Sequence, residues 1–432
     1  MMMPYAALSR SLSPGAYVKI ALLGQFGSGN SGNDGSLESM LNFLKRVKPD
    51  CELLCICSDP KVVEQQYRVR AVSISGVVLR RGWFKGFNRF LLNLPRRVLV
   101  FCSLISQLND VDVLIIPGTG ILDDFQEHPF GWPFVVFRWC IATRLRKARV
   151  AFVSIGAGPV SRRVSRWFMR AAANTAGYRS FRDEFSREYV KNMGVNVSRD
   201  GKVPDIAFSL PAPQPASRPR GLRLVVGVGL MHYRGWAKDL ADADDLYERY
   251  ISKMAGFVEW LTDEGHDVRL LTGDRADLRA VADLSAHLAA TRPLLATGRI
   301  TSGEGGTLHG IMRDIALTDI VIVSRYHNAV CALKLGRPII SLGYAQKNVD
   351  LLADFEQHKY ALHIETFDVQ LLAVHFREIC VNLVSISETI LSRGEDVNLR
   401  LAEQERAFLE WIDAVPIHRR KPSKPEVLSP IR

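Results

Sequence analysis

The chain has 432 residues, 47% of them hydrophobic and 23% charged, with a formal net charge of +11 at pH 7. That length exceeds one ordinary core and suits two or three domains, and the apolar fraction excludes a disordered chain. No apolar run approaches the ~20 residues of a membrane-spanning helix, and the basic residues are spread along the chain, so neither an integral membrane protein nor a nucleic-acid partner is expected.

The N-terminus, MMMPYAALSRSLSPG, has no apolar h-region. Residues 1–16 are therefore read as a flexible arm without a signal peptide, and a cytoplasmic protein is expected. Seven cysteines are scattered with no C-x-x-C and no paired histidine spacing, which implies buried thiols and no metal site. A βα rhythm then begins. YVKIALLG (17–24) reads as a strand and is followed by a helix over 36–47. CELLCICS (51–58), VDVLIIPG (111–118) and RVAFVSIG (149–156) are further strands, and GYRSFRDE is a short apolar turn. Such near-continuous apolar runs belong to strands buried on both faces of a parallel sheet.

Four prolines in SLPAPQPASRPRG (209–221) interrupt the rhythm and mark a linker. It restarts with LRLVVGVGL (222–230), DVRLLTGD (267–274), DIVIVSRY (319–326) and RPIISLGY (337–344), with a long helical segment at 245–265. The expected organisation is an N-terminal Rossmann-like domain over 17–210, a Pro-rich linker over 211–221, a C-terminal Rossmann-like domain over 222–414 and a disordered basic tail over 415–432. The fold class is α/β, with the two domains facing across a cleft at the C-terminal ends of both sheets.

In such sheets the chemistry sits in the loops that follow the strands. The first, GQFGSGNSGNDGS (24–36), holds a literal G-x-G-x-x-G, but the motif begins three residues after the strand ends and no acid follows at the dinucleotide spacing. An anion or sugar contact through Gly29, Asn30, Gly32 and Asn33 and the amides opening the helix at 36 is expected instead, with Asp34 beside it. The second, IIPGTGILDD, offers Gly118 and Gly120 as close-approach positions; Asp123 and Asp124 are either acceptors for a sugar hydroxyl or helix caps. SIGAGPV (154–160) is a third glycine loop. The fourth, SRYHNAVCALKLGRPIISLGYAQKN (324–348), places Arg325 and His327 before a helix at 328–335, where they are expected to project to one side, and the next strand brings Tyr344 and Lys347 to the same rim. Arginine supplies a planar fork for carboxylate or phosphate, lysine a point charge and histidine a proton near neutral pH.

Together these loops resemble the polysaccharide pyruvyl transferase family. The resemblance rests on G-N-x-G early in the chain, GTGILDD, GAGP, FRDEFS followed by VPDIAFSL, and S-R-Y-H-N-A with G-R-P-I-I-S-L-G-Y-x-x-K, in the family's order from residue 18 to about 352. It implies a GT-B-like two-domain fold, phosphoenolpyruvate as donor, and a sugar of a surface polysaccharide such as an exopolysaccharide, or of its lipid-linked precursor, as acceptor. The product it implies is a cyclic pyruvate ketal, made with no metal and no other cofactor. His327 is then the general acid or proton shuttle, Arg325 and Lys347 bind donor phosphate or carboxylate, and Arg182 is a second anion clamp or a structural partner of Asp183. Asp34, Asp123 or Asp124 orients or deprotonates the acceptor. The family's G-N-x-G-D run departs here, since Asn33 follows Gly32 and Asp34 comes one residue later; either Asp34 takes the role or that carboxylate is missing.

A GT-B glycosyltransferase using a nucleotide sugar is the alternative enzyme class, although no acid to hold a ribose is evident beside Arg325. A polyanion- or membrane-binding protein is the non-enzymatic one. RRGWFKGFNRFLLNLPRR (80–97) and SRRVSRWFMR (161–170) mix cations with aromatic rings, and 80–97 is the stretch expected to attach the protein peripherally to the inner membrane face.

Overall fold

The computed structural model describes residues 18–75, 94–124, 127–213, 223–235, 240–292 and 298–414. The N-terminal arm 1–16, residues 80–93 of the aromatic basic stretch, residues 214–221 of the linker and the tail 415–432 lie outside the described residues.

The described residues build two parallel sheets. The first has the order β3-β2-β1-β4-β5-β6-β7, from β1 (Lys19–Leu23), β2 (Glu52–Cys57), β3 (Arg70–Ser73), β4 (Val113–Pro117), β5 (Arg149–Ile155), β6 (Tyr178–Phe181) and β7 (Gly201–Lys202). Around it lie α1 (Ser31–Val47), α2 (Pro60–Tyr67), α3 (Leu94–Gln107), α4 (Trp132–Leu145), α5 (Arg163–Thr175) and α6 (Glu184–Asn192). The second has the order β10-β9-β8-β11-β12-β13, from β8 (Val225–Gly229), β9 (Asp267–Leu271), β10 (Ile300–Ser302), β11 (Ile320–Val323), β12 (Ile339–Gly343) and β13 (Ala361–His363). Its helices are α7 (Leu240–Asp263), α8 (Leu278–Thr291), α9 (Leu308–Ala316), α10 (Tyr326–Lys334), α11 (Gln346–Asp354), α12 (Val369–Val381) and α13 (Leu383–Asp413).

The central strands are apolar along their length because helices cover both faces: β4 and β11 are buried at every position. Strand order reverses between β1 and β4 in one sheet and between β8 and β11 in the other. Loops leaving the carboxyl ends of strands near such switch points splay apart and leave a crevice, which is where ligands bind in open α/β sheets.

Four local features differ from the expectations above. GYRSF is not a turn but holds strand β6, which pairs with β5. α1 begins at Ser31 instead of 36 because the Asn30 side chain accepts from the amides of Gly32 and Asn33 and starts the helix early. α10 begins at Tyr326 instead of 328. The end of α13 packs on the first sheet: Phe408 is 1% exposed, with its ring 6.0 Å from Phe43 and 4.8 Å from Tyr178. Burying one such side chain contributes roughly 1.5–3 kcal/mol, so the last turns of the chain tie the second half back to the first. Lys202 pairs with Asp354 at 2.6 Å, and Lys334 donates to the Phe208 carbonyl at 2.6 Å, across the same divide.

Candidate active site

A cavity of about 220 Å³ opens between the loops of the two sheets. Gly120 and Asp123 line it from the loop after β4, Gly156 to Pro159 from the loop after β5, and Arg182, Phe185 and Ser186 from the β6–α6 junction. Tyr344 to Lys347, the turn between β12 and α11, close it from the second sheet. Its walls are thus strand ends and helix starts, where backbone amides and helix dipoles favour anions.

Arg182 is the buried cation of this cavity. Its side chain is 2% exposed; Nη1 donates to Asp205 Oδ2 at 3.1 Å, and Asp183 stands 3.7 Å from Nε. The guanidinium carbon lies 4.3 Å from the centroid of the Tyr326 ring. Burial alone would lower the Arg182 pKa, but Tyr326, Asp205 and Asp183 outweigh it and the pKa is raised, so the group stays charged. Its Nε is buried without a hydrogen-bond partner. The room for that edge comes from Gly156: a Cβ there would lie 2.7 Å from Nη2 and 2.8 Å from Nε.

Asp205 connects this cation to His327. Asp205 Oδ1 accepts from the Ala207 amide at 2.9 Å and caps a short 3-10 turn over Ile206–Ser209, which fixes the carboxylate. His327 Nε2 lies 3.8 Å from Asp205 Oδ2 and, buried, has no hydrogen-bond partner. The imidazole pKa is pushed down to about 4. Burial is the main cause; Asp205 opposes it, while Arg182, Lys347 and Arg325 add to it. His327 is therefore neutral at neutral pH, with three cations acting against its protonation.

Lys347 stands on the far wall. Its Nζ is 3.4 Å from the Tyr344 hydroxyl and 6.0 Å from the Tyr326 ring centroid, and among the described residues no carboxylate pairs with it. The Tyr344 pKa is lowered, chiefly by the Lys347 charge, against burial that would raise it. The Tyr344 ring also lies 5.6 Å from that of Tyr233. Among the described residues Asp123 is the one carboxylate lining the cavity.

A model of polysaccharide pyruvyl transferases matches residues 30–346, most of the chain. The chain belongs to the polysaccharide pyruvyl transferase family. It is accordingly a transferase that modifies polysaccharide. No curated protein matches the sequence significantly. Its fold is shared with a glycosyltransferase from Rickettsia africae, at 11% identity and a TM-score of 0.58 over 92% of this chain and 98% of the other. A UDP-GlcNAc 2-epimerase from Neisseria meningitidis, crystallised with UDP-GlcNAc, gives 10% identity and a TM-score of 0.55 over 92% and 99%. A lipopolysaccharide outer core galactosyltransferase gives 11% identity and a TM-score of 0.50 over 92% and 99%. At such identities the likeness is one of fold, the two-domain GT-B arrangement.

The motifs that carry the family resemblance have distinct physical jobs here. In G-N-x-G, Gly32 gives His327 its place: a Cβ at 32 would lie 2.0 Å from His327 Nδ1. Asn30 caps α1, and its Nδ2 donates to Asp274 Oδ2 at 3.1 Å in the second half. The Gly29 carbonyl accepts from the Arg275 amide, and Ser31 Oγ donates to the Gly273 carbonyl. The Asn33 amide donates to Asn30 Oδ1, and Asp34 Oδ1 accepts from the Gly27 amide at 2.7 Å. This first glycine loop was expected to hold an anion or a sugar. The amides of Gly27, Gly32 and Asn33 are instead taken by its own side chains, and Asn30 and Ser31 donate to the loop after β9, so the loop joins the two halves.

Four further expectations are corrected. Asp34 was a candidate base, but it organises the glycine loop and does not line the cavity; burial raises its pKa, against the Gly27 hydrogen bond. Asp124 was a candidate sugar contact, but it is 4% exposed and accepts from the Ser161 and Arg162 amides at 2.8 and 3.1 Å. Gly118 backs onto Ser36 of α1 and is not a cavity wall.

The fourth correction concerns R-x-H. The early start of α10 makes Arg325 its N-cap residue and His327 its second residue, and side chains two apart on a helix diverge. Arg325 turns to Asp277, with Nε to Oδ2 at 2.9 Å and Nη2 to Oδ1 at 2.6 Å, and its fork is filled. Gly120, Asp123, Arg182, Tyr344 and Lys347 line the cavity, whereas His327 stands behind its wall and is linked to it through Asp205 and Arg182. Asp205, Asp277 and Tyr326 were missed. Asp205 stood within VPDIAFSL, but no local pattern reveals that it meets residues 182 and 327.

Proposed function

We propose that this transferase moves the enolpyruvyl group of phosphoenolpyruvate onto a sugar of a surface polysaccharide, or of its lipid-linked precursor, and closes a cyclic pyruvate ketal. The observation that carries the proposal is the cavity with Arg182 and Lys347 on opposite walls, coupled through Asp205 to a neutral histidine. The donor carries a carboxylate and a phosphate. Arg182, with a spare buried Nε, suits one anion and Lys347 the other.

The chemistry follows from charge. C3 of the donor takes a proton and C2 becomes oxocarbenium-like. A sugar hydroxyl adds to C2 and gives up its proton, phosphate leaves, and a second hydroxyl adds to C2 as its proton passes to the released phosphate. Arg182 and Lys347 stabilise the departing anion. His327 shuttles protons: donor anions offset the cations that depress its pKa, so binding itself raises the imidazole toward a useful acid strength. Asp123 orients the acceptor hydroxyl. The reaction requires neither metal nor nicotinamide.

A lipid-linked acceptor places the enzyme at the cytoplasmic face of the inner membrane. Residues 80–93 of the stretch first named for that attachment lie outside the described residues. The nucleotide-sugar alternative gains nothing from Asp277, the acid beside Arg325, because that carboxylate is fully buried and occupied by Arg325.

The test is incubation of the full chain with phosphoenolpyruvate and candidate acceptors, following phosphate release and the mass of the acceptor. Stoichiometric phosphate with a ketal-sized mass gain is expected. Transfer from a nucleotide sugar, with none from phosphoenolpyruvate, overturns the proposal.

A further inference from the structure

One helix face beside the cavity belongs to no part of this chemistry. α4 and α5 pack against each other, and their aromatic rings form one continuous run. Phe134 and Phe137 lie 5.2 and 5.0 Å from Phe168, and Trp167 lies 5.2 Å from Phe137. The run starts in the core and ends in solvent: Phe168 is 6% exposed, Trp167 58%, and Val164, one turn earlier, 46%.

The spacing sorts α5 into three stripes. Ser165, Phe168, Met169 and Ala172 face inward. Val164 and Trp167 form an exposed apolar stripe beside them. Arg163, Arg166 and Arg170 form an exposed cationic stripe next to that, and none of the three has a carboxylate partner among the described residues. The surrounding sequence has the same bias: between Glu127 and Asp183 there is no Asp or Glu and there are eleven Lys or Arg. A soluble face needs neither an exposed tryptophan nor an unbalanced row of arginines. A bilayer surface uses both, since indole prefers the headgroup level and guanidinium pairs with lipid phosphate.

The face is also rigidly tied to the cavity. Pro159 lines the cavity wall, and Asp124 accepts from the Ser161 and Arg162 amides just before α5 begins. A surface held by α5 therefore holds the cavity mouth at a fixed distance from it, as a membrane-anchored acceptor requires.

We infer that the α4–α5 face is a docking surface for an anionic lipid bilayer, with Trp167 and Val164 entering the headgroup region and Arg163, Arg166 and Arg170 on lipid phosphates. The lipid-linked acceptor gives this surface its purpose, but its existence does not depend on the donor chemistry: vesicle flotation tests the one and phosphate release the other.

The experiment is flotation of the full chain with phosphatidylcholine vesicles, with and without phosphatidylglycerol, at low and high salt. The double variants Trp167→Ala/Val164→Ser and Arg163→Ser/Arg166→Ser are compared with the parent chain, with melting temperature and turnover of a water-soluble acceptor as controls. Binding to the phosphatidylglycerol vesicles at low salt, released by salt, is expected. Each folded double variant should bind about tenfold more weakly or worse, the combined scale of a few headgroup contacts at roughly fivefold each. Soluble glycerol phosphate should not displace the parent chain. Three results overturn the inference: a parent chain that fails to float, folded variants that float as well as the parent, or displacement by glycerol phosphate.

Discussion

The glycine loop after β1 and the cavity between the later loops start from the same ingredients. Both are glycine-rich, follow buried strands and open helices, and both looked like anion sites. They differ in what their side chains leave unsatisfied. At the first loop the Asn30 and Asp34 side chains accept from the amides of Gly32, Asn33 and Gly27, and Asn30 Nδ2 and Ser31 Oγ donate to Asp274 and Gly273 of the other half. At the cavity Arg182 keeps an Nε without a hydrogen bond, and among the described residues Lys347 pairs with no carboxylate and meets the Tyr344 hydroxyl. A glycine loop alone therefore does not predict a ligand. A binding site is recognised by polar groups the fold leaves without partners, because each such group costs free energy until a ligand satisfies it.

The largest expected effect breaks the cavity itself. Arg182→Ala leaves Asp205 buried and uncompensated, which should cost about 3–5 kcal/mol by chemical denaturation and abolish turnover. Arg182→Lys should recover part of the stability but little activity, since an ammonium cannot both pair with Asp205 and present a second edge to the donor.

His327→Ala should lower kcat by roughly 10²-fold or more with little change in donor binding. It should also change the pH dependence of stability. The folded pKa of about 4 lies below the ordinary value of 6.5, so the unfolded chain takes the proton first as pH falls. The stability tied to the neutral ring is complete above about pH 6.5 and lost progressively toward pH 4, on the order of 3 kcal/mol in all. Denaturation between pH 4 and 7 should show a shallower slope in His327→Ala. An unchanged slope together with full activity means that His327 is a packing residue.

Lys347→Met separates binding from folding. Donor KM should rise by about tenfold or more, the scale of one lost charge-assisted contact, with the melting temperature close to the parent's. The Tyr344 phenol should titrate higher once the Lys347 charge is gone. A large fall in melting temperature with unchanged KM points to a structural lysine.

The smallest effects rank the three carboxylates that the sequence left open. Asp123→Asn should lower kcat/KM for the acceptor. Asp124→Asn should act on melting temperature through the 161–162 amides. Asp34→Asn should cost only about 1 kcal/mol of stability through the Gly27 hydrogen bond and leave both substrates' constants within a few-fold. A catalytic collapse in Asp34→Asn reverses the contrast between the two loops.

Much of this was legible in the sequence, for physical reasons. The buried strands announce themselves because parallel strands covered on both faces need unbroken apolar runs, and the Pro-rich break separates the two sheets. Lys347, Tyr344, Gly120 and Asp123 were named because strand-end positions converge at the crevice of such sheets, whereas Arg182 was named only through the family motif FRDEFS, its strand having been read as a turn. Long-range pairing was not legible. Asp277 fills the fork of Arg325 from 48 residues away, and Asp205 meets His327 across the cleft. No local periodicity encodes either meeting. Helix starts were misplaced for the same kind of reason: Asn30 reaching the amides of Gly32 and Asn33 moves the start of α1, and with it the role of every residue in the loop.

The claim at the centre is that donor anions bind beside Arg182 and Lys347 and thereby charge His327. The direct measurement is titration of the His327 imidazole by NMR in the full chain, with and without phosphoenolpyruvate, assigned with His327→Ala. The expected result is a pKa of about 4 in the free protein that moves toward neutrality with donor bound. Donor binding that leaves the imidazole titration where it was contradicts the claim.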